Sequence, residues 1–363
     1  MKRRLTIFAL GGNELSPTGL IDPATGKLII QGIAEQWKKT SATCELLAKI
    51  IKENPDDYYI LTHGNGPQVG NLMMNGNSSL VELDVCDADT QGSMGYMLAQ
   101  LSNSLRILGI NKIVAETITK VVVDEQDPAF NFPSKFIGPS FSKEDALNQQ
   151  SKEDRPFKFY KKEDNGNELW RWVVASPEPI EVVEIELIEA NLRAGIIPIT
   201  VGGGGIPVKK VKPVIVNDEE VYRCKYGIEY RRKYNHDNTP AEIYSGVDAV
   251  IDKDLASSLL GTKLIQRASK YGDELEAELF IFTDIDGVKL NYQQHDEIDL
   301  RHVSLKQIKD LYEKNIFPSG SMGPKIKAAI NFLEGGGVKV YITKSELYRE
   351  ALSGKSGTLI ENY

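Results

Sequence analysis

The stretch LTIFALGGN, residues 5–13, is an apolar run that passes directly into a pair of glycines. Two more stretches repeat this arrangement: YYILT leads into HGNGPQVG at Gly64, and IIPITV leads into GGGGIPV at Gly202. A strand that ends in glycine leaves its backbone N–H groups accessible, and a helix that follows adds the positive end of its dipole. The three junctions together predict a site that binds phosphate.

Apolar strand patterns alternate with amphipathic helix patterns on both sides of these junctions. The predicted strands are 5–10, 58–62, 112–123 (one long strand or a hairpin arm), 196–201, 279–283 and 338–343. The predicted helices are 33–51, 89–108, 183–194, 253–266, 305–314 and 324–333. This alternation predicts an α/β fold with a largely parallel sheet that helices cover. Ligands of such sheets bind at the carboxyl ends of the strands.

Two segments interrupt the alternation. Residues 124–167 are rich in Pro, Phe, Lys and Glu, which predicts an excursion from the main sheet rather than another strand–helix unit. Residues 209–245 contain the runs VKPVIV and EEVYRCKYG and the basic cluster Arg231, Arg232 and Lys233. These runs predict β-hairpins at the surface.

Composition narrows the function classes and the compartment. The 363 residues carry a net charge of −8 with a pI near 5.3, which disfavours nucleic acid as a partner. No stretch approaches the roughly 18 consecutive apolar residues that span a bilayer, so no membrane partner is expected. Cys44, Cys86 and Cys224 are too widely spaced to indicate a disulfide framework or a zinc site, and we expect a cytoplasmic protein.

Two common nucleotide-binding motifs do not fit the chain. HGNGPQVG lacks the third glycine of the dinucleotide-binding motif, because Val69 stands in its place. The GKS at 354–356 has Arg349 where a P-loop needs its first glycine. The chain is therefore predicted to be neither a Rossmann dehydrogenase nor a P-loop nucleotide hydrolase.

Two lysines stand at predicted helix starts. Lys253 lies between Asp252 and Asp254 in GVDAVIDKDLA, and Lys325 follows a Gly/Pro turn in GSMGPKIKAA. Each position combines a fixed ammonium with free backbone N–H donors, which suits a phosphate. For Lys253 the alternative is a solvated charge cluster that caps the helix. The glycine junctions favour the phosphate interpretation.

An ordered set of motifs resembles the carbamate kinase family of the amino-acid kinase superfamily, from residue 9 to about residue 358. The motifs are ALGGN, THGNGPQVGNL, QGSMGYMLAQ, DPAFNFPSKFIGPSFS, GGGGIPV, GVDAVIDKDLASSLL, FTDIDGVKLNY and GSMGPKIKAAINFLEGG. The resemblance implies a three-layer αβα sandwich with a mainly parallel central sheet, and a homodimer. It implies an N-terminal lobe, 1–201, that binds carbamate or carbamoyl phosphate and carries a protruding subdomain at about 124–170. It also implies a C-terminal lobe, 202–363, that binds ATP or ADP.

The resemblance also implies roles for individual residues. Those that would line the transferred phosphoryl group are Gly11, Gly12, Asn13, Gly64, Asn65 and Gly66. Those that would bind the nucleotide are Gly203, Gly204, Asp252, Thr283, Asp284, Tyr292, Met322 and Lys325. The catalytic set would be Lys135 on the subdomain, Lys253, Lys325 and Asp254. Mg²⁺ would be held mainly by the nucleotide phosphates, with no separate protein metal site.

The chemistry of carbamate agrees with this residue set. Carbamate is already an anion, so its oxygen attacks phosphorus without a general base, and catalysis needs alignment and charge neutralisation. We therefore interpret His63 as a structural residue that holds its loop. Because carbamoyl phosphate is a mixed anhydride and a good phosphoryl donor, we expect the reaction to make ATP, in a catabolic role such as arginine breakdown.

Several residues depart from the family pattern and keep the substrate open. Glu14 stands beside the first glycine pair, Asp87 and Asp89 replace small apolar residues, and Trp172 replaces an arginine. One alternative function is a related kinase of another small carboxylate. Another is a nucleotide-binding regulatory protein with little turnover, although the intact lysines disfavour it.

Extra residues relative to the family are expected at 20–31 and 209–245. The second segment directly follows GGGGIPV, so it could cover the nucleotide site, bind a partner or extend a dimer surface. A tolerated surface hairpin is the simpler interpretation.

Overall fold

A computed structural model of the chain describes residues 2–16, 32–75, 82–150, 158–164, 167–233, 241–318 and 321–363. The strands are β1 (Lys2–Leu10), β2 (Tyr58–His63), β3 (Val114–Glu116), β4 (Lys120–Val123), β5 (Lys135–Phe141), β6 (Lys158–Asp164), β7 (Asn167–Val174), β8 (Pro179–Val182), β9 (Ile197–Ile199), β10 (Ile206–Lys210), β11 (Val214–Val216), β12 (Glu219–Arg223), β13 (Glu229–Lys233), β14 (Tyr244–Gly246), β15 (Glu274–Phe282), β16 (Val288–Leu290), β17 (Ile298–Leu300), β18 (His302–Ser304), β19 (Lys339–Thr343) and β20 (Thr358–Glu361). The helices are α1 (Gly12–Leu15), α2 (Ile33–Ile51), α3 (Gly66–Asn75), α4 (Leu83–Leu98), α5 (Leu101–Ile107), α6 (Lys143–Gln150), α7 (Ile185–Arg193), α8 (Lys253–Lys270), α9 (Leu305–Glu313), α10 (Met322–Glu334) and α11 (Tyr348–Leu352).

The central sheet has the strand order β18-β20-β19-β15-β1-β2-β9-β3. Its neighbouring strands pair in parallel, except that β19 and β20 are antiparallel. β1 lies inside the sheet, where Leu5 pairs with Ala277 of β15 on one side and with Tyr58 of β2 on the other. Strands on both sides cover its backbone, so the prediction of a mainly parallel α/β sheet is confirmed.

The two faces of β1 belong to two different apolar cores. Leu5, Ile7 and Ala9 pack in the core that α7, α8 and α10 cover, whereas Phe8 and Leu10 pack in the core that α2, α4 and α5 cover. Successive side chains of a strand point to opposite faces, so an unbroken apolar run is what a sheet buried on both faces requires. The result is the three-layer αβα sandwich that the family resemblance implied.

Smaller sheets lie outside the central one. β5, β7 and β6 form a three-stranded antiparallel sheet, and its core, with Ile137 and Trp172, packs against Val69 of α3 and Cys86 of α4. β11, β12 and β13 form a second antiparallel sheet, β14-β10-β4-β8 a third, and β16-β17 a ribbon. The excursion predicted after residue 124 and the hairpins predicted within 209–245 are therefore confirmed.

Two predicted elements are wrong. The predicted helix 89–108 begins earlier than expected, at Leu83. It is also divided into α4 and α5, because the chain turns at 99–100. The predicted strand 112–123 is two short strands in different sheets, β3 and β4. The β-branched residues suit a strand throughout, but Gln91 binds the backbone N–H and C=O of Thr119, and the chain changes sheet there.

The other predicted helices and strands are confirmed to within a few residues, including a helix that begins at Lys253. The predicted extra segment 20–31 lies outside the described residues. None of the helices in the described ranges combines the length and apolar character that a bilayer crossing requires. Cys44, Cys86 and Cys224 are free thiols.

Candidate active site

The first two glycine junctions lie side by side because β1 and β2 are parallel neighbours. The Gly64 N–H donates to the Leu10 carbonyl at 3.1 Å. A Cβ atom on Gly64 would lie 3.3 Å from Cδ of Lys253 and 3.9 Å from the Gly12 nitrogen, and one on Gly11 would lie 2.9 Å from the Phe282 carbonyl oxygen. Glycine thus lets the ends of β1, β2 and β15 and the stem of Lys253 meet without side chains between them.

Asn65 connects the second junction to α4. Its Nδ2 donates to Oδ1 of Asp87 at 2.9 Å and to Oγ1 of Thr90 at 2.8 Å, and the side chain is buried. Thr90 in turn donates to the Asp87 carbonyl. Both Asn65 amide hydrogens are therefore used to hold the loop, and Gly66 then begins α3. Sequence reasoning did not assign this role to Asp87 and Thr90, although it noted Asp87 as a departure.

The third junction packs against the second. Gly202–Gly204 form a 3-10 turn in which Gly203 and Gly204 have φ values of +67° and +101°. A Cβ atom on Gly202 would lie 2.4 Å from Nε2 of His63, and one on Gly203 would lie 2.1 Å from Nδ2 of Asn65. Any side chain larger than a hydrogen atom at Gly202 or Gly203 would therefore push the two loops apart.

His63 is buried beneath this contact. Burial lowers the pKa of His63 to about 4, so the ring is neutral at physiological pH. Nδ1 lies 3.3 Å from the Gly64 carbonyl oxygen, which suits a neutral ring whose Nδ1–H donates. The ring is placed to hold the loop.

Five charged residues next to these loops form one connected cluster. Lys253 forms an ion pair with Oδ1 of Asp254 and donates to the Ala9 carbonyl at 3.3 Å. Lys325 Nζ lies 3.1 Å from Oδ2 of the same carboxylate. Lys135 Nζ lies 2.5 Å from Oδ2 of Asp252, whose Oδ1 caps α8 by accepting from the Asp254 N–H. Three lysines and two aspartates thus meet at the start of α8.

Burial and charge oppose each other within this cluster. Burial lowers the pKa of Lys253, and Asp254 counteracts that effect only in part. Burial also acts to lower the pKa of Lys325, but the carboxylates of Asp254 and Asp252 outweigh it and raise that pKa. Burial acts to raise the pKa of Asp252, yet Lys135 and Lys325 hold it well below its usual range. Asp252 is therefore ionised, and the cluster carries a net positive charge that suits an anionic ligand.

Lys135 reaches the cluster from the sheet of β5, β7 and β6, which we call the protruding sheet. It begins β5, and Arg171 of β7 donates from Nε and Nη2 to the Gly138 carbonyl at 3.0 and 2.6 Å, which fixes the turn in β5. A cleft of about 440 Å³ opens between this sheet and α8, α9 and α10, and both Lys135 and Asp252 line it.

A second cavity, of about 260 Å³, has Lys325 in its lining. The described residues that line it are Thr283, Asp284, Ile285, Lys289, Tyr292, Phe317, Pro318, Ser321, Met322 and Lys325. Five of the residues assigned to the nucleotide lie together here. Gly203 and Gly204 lie elsewhere, against Asn65 and Ile251. The sequence patterns did not identify Phe317 and Pro318 as lining residues, although the Pro- and Gly-rich stretch before α10 could have indicated them.

The residues that depart from the family pattern lie in different surroundings. Glu14 is buried, and its Oε2 accepts from Ser345 Oγ at 2.6 Å, with Lys39 and Glu346 as its charged neighbours. Trp172 is buried in the core of the protruding sheet. Asp87 accepts a hydrogen bond from Asn65 of the second glycine junction, and burial raises the pKa of Asp87 well above the usual range. The Asp87 side chain therefore contacts a predicted site residue, whereas Glu14 does so through its backbone N–H, which donates to the Gly11 carbonyl at 3.1 Å.

The sequence model described as Amino acid kinase family matches residues 266–344, which run from α8 through β15 and α10 to the end of β19. The chain is a phosphotransferase of this class. Curated carbamate kinases from Pyrococcus furiosus and Thermococcus kodakarensis are each 36% identical, over 98% and 99% of both chains respectively. The chain belongs to the carbamate kinase family.

Solved structures agree with this assignment. A carbamate kinase from Giardia lamblia bound to AMP-PNP superposes with a TM-score of 0.72 at 31% identity, covering 99% of each chain. The same enzyme bound to citric acid gives a TM-score of 0.75 at 30% identity, also over 99% of each chain. The fold expected from the sequence is therefore shared along nearly the whole chain.

Proposed function

We propose that the chain transfers a phosphoryl group reversibly between ATP and carbamate, giving ADP and carbamoyl phosphate. The observation that carries the proposal is the placement of Lys253 and Lys325 on one buried carboxylate, between the glycine loops and the cavity lined by Tyr292 and Met322. A nucleotide in that cavity would direct its phosphates toward Lys325. A carbamate at the glycine loops would then face the terminal phosphate.

The site residues would act by alignment and by charge. A carbamate oxygen attacks the terminal phosphorus, the new O–P bond forms, and the bond from phosphorus to the bridging oxygen breaks, leaving that oxygen on ADP. Lys253 and Lys325 would neutralise the charge on the transferred group, while the backbone N–H group of Gly12 would hold one of its oxygens. Neutral His63 would take no proton.

Asp254 would act as the residue that positions both lysines. Its two oxygens each bind one ammonium, so one carboxylate would fix the position of both lysines. Lys135 would bind carbamate or carbamoyl phosphate from the subdomain side, exchanging Asp252 for the ligand's oxygens. In this scheme Asp252 neutralises the charge of Lys135 until the ligand binds.

We infer that Mg²⁺ accompanies the nucleotide. The carboxylates of Asp252 and Asp254 are committed to lysines, whereas Asp284 lies in the nucleotide cavity with Thr283 as its hydrogen-bond donor. This donor set fits an ion that arrives on phosphate oxygens, with Asp284 as its protein ligand. When bound, the ion would supply charge neutralisation on the nucleotide phosphates.

The wider setting is also a proposal. Free thiols at Cys44, Cys86 and Cys224 favour a reducing compartment such as the cytoplasm. The good phosphoryl donor, carbamoyl phosphate, favours ATP synthesis during arginine catabolism. Exposed Ile33, Tyr96 and Ile107 on the adjacent helices α2, α4 and α5 support a homodimer, which light scattering of the purified protein would test.

The test is ATP formation from carbamoyl phosphate and MgADP by the purified wild-type chain. We expect turnover, and we expect acetyl phosphate to be a much poorer donor. An absence of ATP formation, with nucleotide binding intact, would contradict the proposal. A panel of small carboxylates with MgATP would then identify a related kinase with another acceptor.

A further inference from the structure

The segment 209–245 places one lysine among three carboxylates. Lys225 Nζ lies 3.0 Å from Oδ1 of Asp84, 3.0 Å from Oδ1 of Asp248 and 3.3 Å from Oε2 of Glu82. Burial acts to lower the pKa of Lys225, but the bonds to Asp84 and Asp248 outweigh it and raise that pKa well above the usual range. The ammonium is thus permanently charged.

The backbone around Lys225 fixes the direction of its side chain. Lys225 starts the tight turn between β12 and β13, in which Tyr226 and Gly227 have φ values of +60° and +72°. The Lys225 N–H donates to Ser245 Oγ at 2.9 Å, and the Cys224 N–H donates to the Ile228 carbonyl at 2.8 Å. A non-glycine residue with positive φ is costly, so the turn is held by these contacts.

The three carboxylates come from two separate elements. Glu82 and Asp84 stand at the start of α4, whereas Asp248 lies in the loop that leads to α8. Their oxygens lie within 4.8 Å of one another. Without a cation these charges would repel, and the start of α4 would move away from the loop. Lys225 is the cation that the structure places between them.

Both elements also carry residues of the proposed site. α4 supplies Asp87 and Thr90, which hold Asn65 in the loop of the second glycine junction, residues 64–66, which we call the phosphoryl loop. The loop of Asp248 ends four residues later at Asp252, which caps α8 and bonds Lys135. A change in the spacing of α4 and this loop would therefore change the spacing of Asn65 and the lysine cluster.

We propose that Lys225 is a positioning residue for phosphoryl transfer: by binding Asp84 and Asp248 together, it sets the distance between the phosphoryl loop and the lysines at the start of α8. This rests on the proposed function. The proposal also gives a function to the turn between β12 and β13 in the 209–245 segment. Through Lys225 this turn joins the two sides of the site, and we call the contact of Lys225 with Asp84 and Asp248 the brace.

The variants are Lys225→Met, which removes the charge, and Lys225→Arg, which keeps it. Lys209→Met is the matched control, because Lys209 belongs to the same segment and pairs with the exposed Glu125. Asp248→Asn removes one partner of the brace without touching the turn. It serves as the second variant if Lys225→Met fails to fold.

The first measurement is amide hydrogen exchange without substrates. It tests whether Lys225 holds α4 and the Asp248 loop together, even if the wild type makes no ATP. We expect Lys225→Met to speed exchange at the start of α4 and in residues 248–252 by about tenfold, with Lys209→Met unchanged. Equal exchange in Lys225→Met and the wild type would overturn the proposal.

The second measurement is kinetics with carbamoyl phosphate and MgADP. We expect Lys225→Met to lower kcat by about tenfold with the MgADP dissociation constant within about twofold, and Lys225→Arg to restore most of the loss. Asp248→Asn should cause little further loss in the Lys225→Met background. Full activity of Lys225→Met, or additive losses in the double variant, would assign the segment a purely structural role.

Discussion

Lys325 Nζ lies 3.1 Å from Oδ2 of Asp254, although 71 residues separate the two positions in the sequence. Lys253, the immediate neighbour of Asp254, occupies the other oxygen of the same carboxylate. One aspartate therefore joins the start of α8 to α10. The relative placement of these helices decides whether two ammonium groups can act on one phosphoryl group.

Replacing Lys253 by Met should abolish turnover while the fold survives. The methionine side chain would still fill the space beside Gly64 that the Lys253 stem occupies, but the charge that would stabilise the transferred group is lost. We expect kcat to fall by about three orders of magnitude or more, with a small change in the MgADP dissociation constant. Coupled ATP detection and calorimetric titration measure the two quantities.

The matched control is Lys270→Met, which removes an exposed lysine from the other end of the same helix. It should retain wild-type kinetics. A loss of less than about tenfold in Lys253→Met would remove Lys253 from the catalytic set.

Replacing Asp254 by Asn should move the alkaline limb of the pH–rate profile to lower pH. Burial already lowers the pKa of Lys253, and Asp254 is its strongest opposing charge. Loss of that charge lowers the pKa further, so the ammonium is lost earlier as the pH rises. The profile of kcat between pH 6 and 10 measures this. An unchanged limb together with reduced kcat would assign Asp254 a purely geometric role.

Replacing Lys135 by Met should weaken binding of carbamoyl phosphate more than binding of nucleotide. Lys135 belongs to the protruding sheet, whereas Lys325, and not Lys135, lines the cavity of Tyr292 and Met322. We expect KM for carbamoyl phosphate to rise by about tenfold or more and the MgADP dissociation constant to stay within about threefold. The exposed Lys143 of α6, replaced by Met, is the control. Equal weakening of both ligands would argue against a role confined to the carbamate side.

Replacing Glu116 by Gln should stabilise the protein at alkaline pH and leave it unchanged near pH 4. Both carboxyl oxygens of Glu116 lack a hydrogen-bond partner among the described residues, and burial raises its pKa to about 9. Above the unfolded pKa near 4.5, the unfolded chain releases this proton while the folded chain keeps it. Stability therefore falls as pH rises from about 4.5 to 9.

The Glu116→Gln variant loses this pH dependence but keeps the shape of the side chain. At pH 8 we expect a gain of a few kcal/mol, on the order of that linkage. Denaturant unfolding at pH 5 and pH 8 measures it. A pH-independent difference between variant and wild type would mean that Glu116 is ionised in the folded protein.

The local pattern predicted much of the secondary structure and the strand ends. Every position of the run LTIFAL except Thr6 is apolar and buried, which indicates a strand covered on both faces, and the place of β1 inside the sheet confirms that interpretation. The charges around Lys253 predicted a helix start, and Asp252 caps α8 there. Capping and periodicity act over a few residues, so they can be read from the chain itself.

The sequence did not predict contacts that depend on distant partners. The start of α4 was missed because its acidic residues resemble a loop, whereas Asp87 is buried within the helix by Asn65. The break between β3 and β4 was missed because Gln91, 28 residues away, binds the Thr119 backbone. In both cases a tertiary hydrogen bond overrides the local preference.

By itself, the sequence determined the α/β class, the glycine junctions at the strand ends and the presence of lysines suited to phosphate. Only the tertiary structure decided which carboxylate each lysine meets: Asp252 for Lys135, Asp254 for Lys253 and Lys325, and three acids for Lys225. The reason is physical. Propensity and periodicity are properties of neighbouring residues, whereas the strength and direction of a buried ion pair depend on which chain segments fold into contact.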